Sequence, residues 1–358
     1  MPTYDKTELS AIFIDTFDFL DYKIKSDIVK RVNGGERISS ILESFSDRIS
    51  KENIAIIKNS ENKEYLNNAV SLLNDNGVTA ITYYSTNYPK SLKSVYNPPL
   101  ILYAKGNLDL LKSEKIFAIV GSRKCLPQDK VIAEDYAKTL SSNGITIVTG
   151  IAEGIDSSAI KGALKSKNII SVTAGGFDKL YPSTNQDLFD EVAKCGLCLS
   201  EQRIGVQSTP YMYPVRNRII AGLAIGVLVV SASVKSGTMH TVSYALDGGK
   251  EVFAIPHAIG VKSGEGTNKM IKAGAFLTDE PQDILAFYDV KQSQVKEEII
   301  LTEKENEIYS VIKEKGSVYI DELCVILNKR VFELMPTLSM MEIKGVIIKS
   351  ADNFYSVV

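Results

Sequence analysis

From residue 116 onward, short wholly apolar runs alternate with longer mixed stretches. Ile116 to Val120 ends at Gly121, Ile145 to Val148 at Thr149-Gly150, and Ile169 to Val172 before Gly175-Gly176. Gly226 to Val230 ends at Ser231, and Val252 to Ile255 ends at Pro256. Runs this short and this apolar suit strands buried on both faces of a parallel sheet. The stretches between them, such as Val131 to Leu140 and Asp156 to Lys165, carry helical spacing. The alternation predicts an α/β fold, a Rossmann-like, doubly wound sheet, over the centre of the chain.

The flanks read differently. Residues 1–84 contain few glycines, and Leu9, Ile12, Ile14, Phe17 and Leu20 have spacing compatible with helix, which predicts a helical N-terminal domain. Tyr88-Pro89 and Asn97-Pro98-Pro99 force extended or turn geometry, so residues 85–115 read as a connector leading into a central domain that runs to 288. A polar stretch, Lys291 to Glu298, marks a linker over 289–300. Residues 301–358 show three apolar stripes: Ile308, Val311 and Ile312; Ile320, Leu323 and Leu327; and Val331, Leu334, Leu338 and Met341. Val346 to Ile348 and Phe354 to Val357 then flank a turn at Ala351-Asp352-Asn353. Three helices and a hairpin fit a winged helix-turn-helix, in which Pro336 belongs in the first turn of its helix.

Composition narrows the function classes. The chain has 358 residues, 41 basic and 43 acidic, and is 44% apolar. That argues against disorder, collagen and coiled coil. No apolar run approaches the roughly 18 residues that span a bilayer, and the N-terminus lacks a secretory layout, so the cytoplasm is the expected location. Four cysteines in this length make no disulfide scaffold. Residues 116–280 hold 17 basic and 15 acidic residues, whereas 301–358 hold 7 and 9, so a basic groove is expected in the centre.

The candidate chemistry lies in small polar corners after the central strands. They are Gly121-Ser122-Arg123, Thr149-Gly150 through Gly154 to Asp156, Gly175-Gly176 and Ser236-Gly237-Thr238. A parallel sheet releases such corners on one edge, where glycine permits close approach and helix N-termini attract phosphate. Arg123, Lys235 and a helix opening at Arg216-Asn217-Arg218 add cations suited to phosphate oxygens. Among the neighbouring aromatics, Tyr213 is the one most suited to stack on an unpaired base; Phe177, Tyr181 and Tyr211 read as packing. No phosphate-binding Gly-x-x-x-x-Gly-Lys-Ser/Thr loop is present, and no Gly-x-Gly-x-x-Gly follows the first strand. Cys195 and Cys198 have redox spacing but read as structural, and His240 and His257 have no metal-ligand spacing. No catalytic set, metal or cofactor is expected.

In their order along the chain these corners, with Tyr181-Pro182, Ser200-Glu201, Pro214 through Leu223 and Gly266 through Ala275, closely resemble the DNA processing protein DprA (Smf) family. The likeness is strong over residues 85–280. It implies a cytosolic homodimer that binds single-stranded DNA and delivers it to the RecA recombinase during natural transformation, with a SAM-like N-terminal domain. Gly121, Ser122 and Arg123 would line the phosphate pocket, Tyr213 would take the place of the base-contacting aromatic, and Arg216, Asn217 and Arg218 would lie on the helix beside it. Ile160, Ser231, His257 and Pro210 depart from the family pattern. The alternatives are a nucleoside-monophosphate glycosidase, for which Thr241 stands where a glutamate is needed, and a transcription factor acting through Lys329 and Arg330.

Overall fold

The computed structural model describes residues 3–290, 301–350 and 354–357. The chain divides into two compact units, Met1–Ser293 and Gln294–Val358. The first opens with five helices: α1 (Lys6–Asp15), α2 (Tyr22–Asn33), α3 (Ile38–Glu43), α4 (Lys51–Ser60) and α5 (Lys63–Asp75). Asp5, Asp21, Ser50 and Asn62 cap α1, α2, α4 and α5 by accepting an amide hydrogen of the first turn. Helix α1 stops at Asp15, so Phe17 and Leu20 are buried from the following loop rather than from a continued stripe. Phe13, Ile14, Ile28, Ile41 and Leu42 close a core of their own, while Ala11, Ile12 and Val29 join the core of the sheet.

The remainder of this unit is a nine-stranded sheet. Its elements are β1 (Thr79–Thr82), β2 (Ile101–Gly106), β3 (Ile116–Val120), α6 (Pro127–Ser142), β4 (Thr146–Thr149), α7 (Ile155–Leu164), β5 (Ile169–Thr173), α8 (Gln186–Cys195), β6 (Leu197–Ser200), α9 (Met212–Leu223), β7 (Gly226–Val229), α10 (Thr238–Asp247), β8 (Glu251–Ala254), α11 (Glu265–Lys272), β9 (Phe276–Leu277) and α12 (Pro281–Phe287). The strand order is β1-β2-β6-β5-β4-β3-β7-β8-β9. Strands β3 to β9 pair in parallel, and β2 and β1 are added antiparallel beside β6. The Rossmann-like core is therefore present, and helices cover both faces of strands buried on both sides.

The sheet is wider than the five runs predict. The prolines at 89, 98 and 99 conceal β2, which follows them directly, and β1 lies within the stretch read as helical. Helices α6 and α7 cross closely at Gly162, where a Cβ would sit 2.1 Å from the Glu134 carbonyl oxygen. Among the described residues no helix is long and apolar enough to cross a membrane.

The second unit contains α13 (Glu303–Lys315), β10 (Ser317–Tyr319), α14 (Ile320–Leu327), α15 (Val331–Ile343), β11 (Ile347–Lys349) and β12 (Phe354–Val357). The strands form an antiparallel sheet in the order β10-β12-β11, with β10 additional to the expected hairpin. The hairpin turn at 351–353 and the linker stretch 291–300 lie outside the described residues. Ile308, Ile312, Leu323, Leu334, Leu338, Met341 and Tyr355 build the core. Val331 is exposed instead of buried, and Pro336 lies inside α15, past its first turn, where it leaves the carbonyl four residues earlier without its helical partner.

Gly162→Ala tests the close α6–α7 crossing. A methyl group there must displace backbone, so the urea midpoint should fall by the equivalent of roughly 1–3 kcal/mol. A wild-type midpoint would show that the two helices are not in such contact.

Candidate nucleic-acid interface

The winding of the sheet sets the location. From β3 the chain steps outward through β4, β5 and β6, then returns to place β7 on the opposite side of β3. The loops after β3 and β7 therefore run apart and leave a crevice at the carboxyl edge of the strands. An open trough of about 860 Å³ lies there. The Ser122 amide donates to the Ser231 carbonyl at 2.9 Å and fixes the two loops at its base.

Two glycines allow the walls to approach. A Cβ on Gly121 would meet the Ile155 side chain at 2.5 Å. Gly154 caps α7 at φ +84°, and a Cβ there would lie 2.5 Å from the Ser122 carbonyl oxygen. Both serve packing between the β3 corner and α7. Gly150 has a third role: its missing Cβ leaves space for the Asp156 carboxylate and the Arg216 guanidinium, which would approach that position to 2.2 and 2.7 Å.

Arg216 lies at the floor of the trough, 7% exposed. Its guanidinium donates to the Val172 carbonyl and, through Nε, to Asn217 Oδ1 at 3.1 Å. Burial pushes the Asp156 carboxyl above the usual carboxylate range, and Arg216, the Ala152 amide and Arg123 pull it back. Burial likewise lowers Arg216, opposed by Asp156. Each thus offsets part of the other's burial cost through space, with no direct ion pair between them among the described residues.

Arg123 is exposed above them, its guanidinium carbon 4.8 Å from the centre of the Tyr213 ring. That ring is held by a hydrogen bond between its hydroxyl and Ser208 Oγ at 3.1 Å, and by the edge of Tyr181 at 6.4 Å. A cation over an aromatic face at the rim of a trough can grip a phosphate while the ring stacks on a base. Helix α9 begins at Met212, earlier than expected, so Tyr213 and Pro214 occupy its first turn. Asn217 Nδ2 donates to the Gly237 carbonyl at 3.5 Å and links α9 to the start of α10.

Eight residues singled out from the sequence line this one trough: Gly121, Ser122, Arg123, Tyr213, Arg216, Asn217, Ser236 and Gly237. Four do not. Gly150 and Gly154 act from behind the walls. Lys235 is exposed on the β7–α10 loop outside the lining. Arg218 faces away, because residues two apart on a helix lie about 200° apart around its axis. It is spent on Glu201, at 2.6 and 2.7 Å. Gly175 and Gly176 also pack against the Arg203–Ser208 backbone instead of lining the trough.

The helix ends differ from expectation too. Helix α6 starts at Pro127, which has no amide hydrogen, and Asp129 takes the Leu126 amide. Asp156 occupies the first turn of α7. Only α9 and α10 bring further first-turn residues, Tyr213, Pro214, Thr238 and His240, to the lining.

The sequence reading missed Lys124, Ser208, Lys262 and Ser263, treated Tyr181 as packing and gave His240 no role, yet all of them line the trough. Pro210 lines it as well, while His257 is held by Ile255, Thr267 and Asp129 at 3.1–3.2 Å and Ile160 is fully buried. Phe177 packs on Phe189, and the Cys198 thiol is buried in β6, which raises its pKa.

Asp156→Ala tests the buried pair. It removes the carboxylate that offsets the burial of Arg216, and unfolding free energy should fall by about 1–3 kcal/mol, read as a lower urea midpoint. An unchanged midpoint would show that the guanidinium needs no carboxylate.

A family model for DNA recombination-mediator protein A matches residues 79–289. The DNA processing protein DprA of Streptococcus pneumoniae (strain ATCC BAA-255 / R6) is 41% identical over 203 residues, covering 56% of this chain and 71% of that protein. The DprA of Bacillus subtilis (strain 168) is 36% identical over 233 residues, covering 64% and 78%. The X-ray structure of DprA from Streptococcus pneumoniae superposes with a TM-score of 0.62 at 31% identity, over 79% of this chain and 98% of that one. A DprA from Helicobacter pylori, described by its single-stranded DNA binding mode, gives a TM-score of 0.55 at 29% identity, over 60% and 97%. With the matched region containing the whole switch-point trough, the chain belongs to the DNA recombination-mediator protein A family, the DprA (Smf) proteins.

Proposed function

We propose that this protein binds single-stranded DNA in the trough at the β3–β7 switch point and does no chemistry on it. The observation that carries the reading is the Arg123 guanidinium lying over the Tyr213 ring at the open rim. The lining supports it: Arg123, Lys124, Arg216 and Lys262 are cationic, and the one carboxylate, Asp156, is buried beside Arg216. A glycosidase would need a free acid–base group, and Thr241, which stands at the motif position and lines the trough, is not one. The Helicobacter pylori relative, whose single-stranded DNA binding is described, adds weight by kinship.

The wider setting follows the family. The protein acts in the cytoplasm as a homodimer that protects incoming strands and passes them to the RecA recombinase during natural transformation. The helical stretch before residue 84 serves as a SAM-like domain. The C-terminal unit is a winged helix-turn-helix whose third helix, α15, carries no lysine or arginine and exposes Phe332, Met335, Met340 and Ile343. Lys329, ahead of that helix, is paired with Glu307. Such a helix suits contact with a protein better than with a duplex.

Binding of an oligothymidine, compared with a duplex of equal length, tests the reading. The single strand should bind more tightly. Arg123→Ala should weaken it and flatten the salt slope by about 0.7, and Tyr213→Ala should cost roughly 1–3 kcal/mol. Wild-type affinity in both variants would contradict the assignment.

A further inference from the structure

We infer that the trough has a second phosphate-binding arm, made by Lys262, Ser263 and His240, so that a bound strand is gripped at two points and the site has a minimum length. The inference rests on the single-strand reading of the same trough.

The arm comes from elements on the far side of the crevice. Lys262 and Ser263 belong to the single turn Lys262–Gly264 between β8 and α11, and His240 lies in the first turn of α10. They line the trough together with Arg123, but from the β7–β8 side. Tyr181 lines it from the loop after β5, and Tyr213 from the first turn of α9 after β6. The trough is therefore aromatic toward one end and basic toward the other, with Arg123 in the β3 corner between.

Two observations mark this arm within the trough. Lys262 and His240 are exposed, and their side chains have no ion pair or hydrogen bond among the described residues. The Ser263 hydroxyl oxygen is buried yet has no hydrogen-bond partner among them, although it belongs to a residue that lines the trough. A buried hydroxyl without a partner is uncommon, and a turn about the Ser263 Cα–Cβ bond toward the trough would let a phosphate oxygen satisfy it.

The turn that carries the arm is also firmly built. The Gly264 amide donates to the Val261 carbonyl at 2.9 Å, and Thr267 Oγ1 donates to the Gly264 carbonyl at 2.9 Å. The His257 side chain packs so tightly on Gly264 that a Cβ there would lie 2.1 Å from it. The Gly266 amide donates to the Ala232 carbonyl at 2.8 Å, which ties the start of α11 to the loop after β7. A phosphate entering here meets a backbone turn already in place, so the ordering lost on binding is confined to the side chains that grip it. The ligand is a second phosphodiester of the same strand, displaced along the backbone from the one at Arg123.

A ladder of oligothymidines of increasing length, measured at two salt concentrations, tests this with the full chain. Lys262→Ala should weaken binding of long oligomers several-fold and flatten their salt slope by about 0.7. The shortest oligomer that still senses Arg123→Ala should lose less affinity than the long ones. Lys262→Arg should retain the slope, and His240→Ala should weaken long oligomers in the same length-dependent way. Should wild type bind while Lys262→Ala keeps the wild-type slope on long oligomers, or lose affinity equally at every length, the second arm is wrong and the single-strand reading stands. Failure of wild type to bind any oligomer would overturn both.

Discussion

A chain that winds outward in one direction from a central strand and then returns to the other side of it cannot cover the gap between the two connections. Here that gap lies between β3 and β7, and the architecture of the trough depends on it. Parallel pairing sends the loops after β3, β4, β7 and β8 to the same edge, so residues distant in sequence meet without any of them needing a long excursion. Glycines at 121 and 154 then decide how closely the walls approach, because a single methyl group at either would force them apart.

Helix α9 converts this opening into a recognition surface, and its own setting is over-determined. Arg216 reaches beneath it to the Val172 carbonyl, Arg218 reaches the other way to Glu201, and Asn217 reaches Gly237. At its far end the Lys250 ammonium donates to the carbonyls of Ala221 and Gly222, a cation placed where a helix C-terminus favours one. Burial nevertheless pushes that ammonium down to about 8. Gly222 lets the helix pack directly on Leu92 and Val95, which the proline-rich lead-in supplies. With the helix held along its length, Tyr213 in its first turn presents its face to Arg123 in a fixed position, and little conformational freedom remains to be lost when a strand arrives.

Much of this was legible in the sequence because burial on both faces leaves an unmistakable run of apolar residues. Strands β3, β4, β5, β7 and β8 stand where those runs place them, within a residue or so. Strands β1, β2 and β9 were hidden: β2 follows two prolines that read as a break, and β9 has only two residues, both exposed. In the site, Arg216 and Arg218 read alike as neighbours in a basic run, and only the angular step of the helix sends them to opposite sides. Lys262 and His240 had no local signal. A lysine in a turn and a histidine on a helix are unremarkable until the sheet order sets them across the crevice from Tyr213. Tyr181 was undervalued because its exposure, 56%, depends on tertiary contacts that no window of sequence contains.

The most direct measurement is photocross-linking of an oligothymidine carrying 5-iododeoxyuridine, followed by mass spectrometric identification of the attached residue. Stacking of a base on the rim of the trough predicts adducts on Tyr213 or Tyr181, lost when an unlabelled single strand competes. Adducts concentrated in residues 301–358, or on the helices before residue 84, would contradict the claim that this trough is where the strand is held.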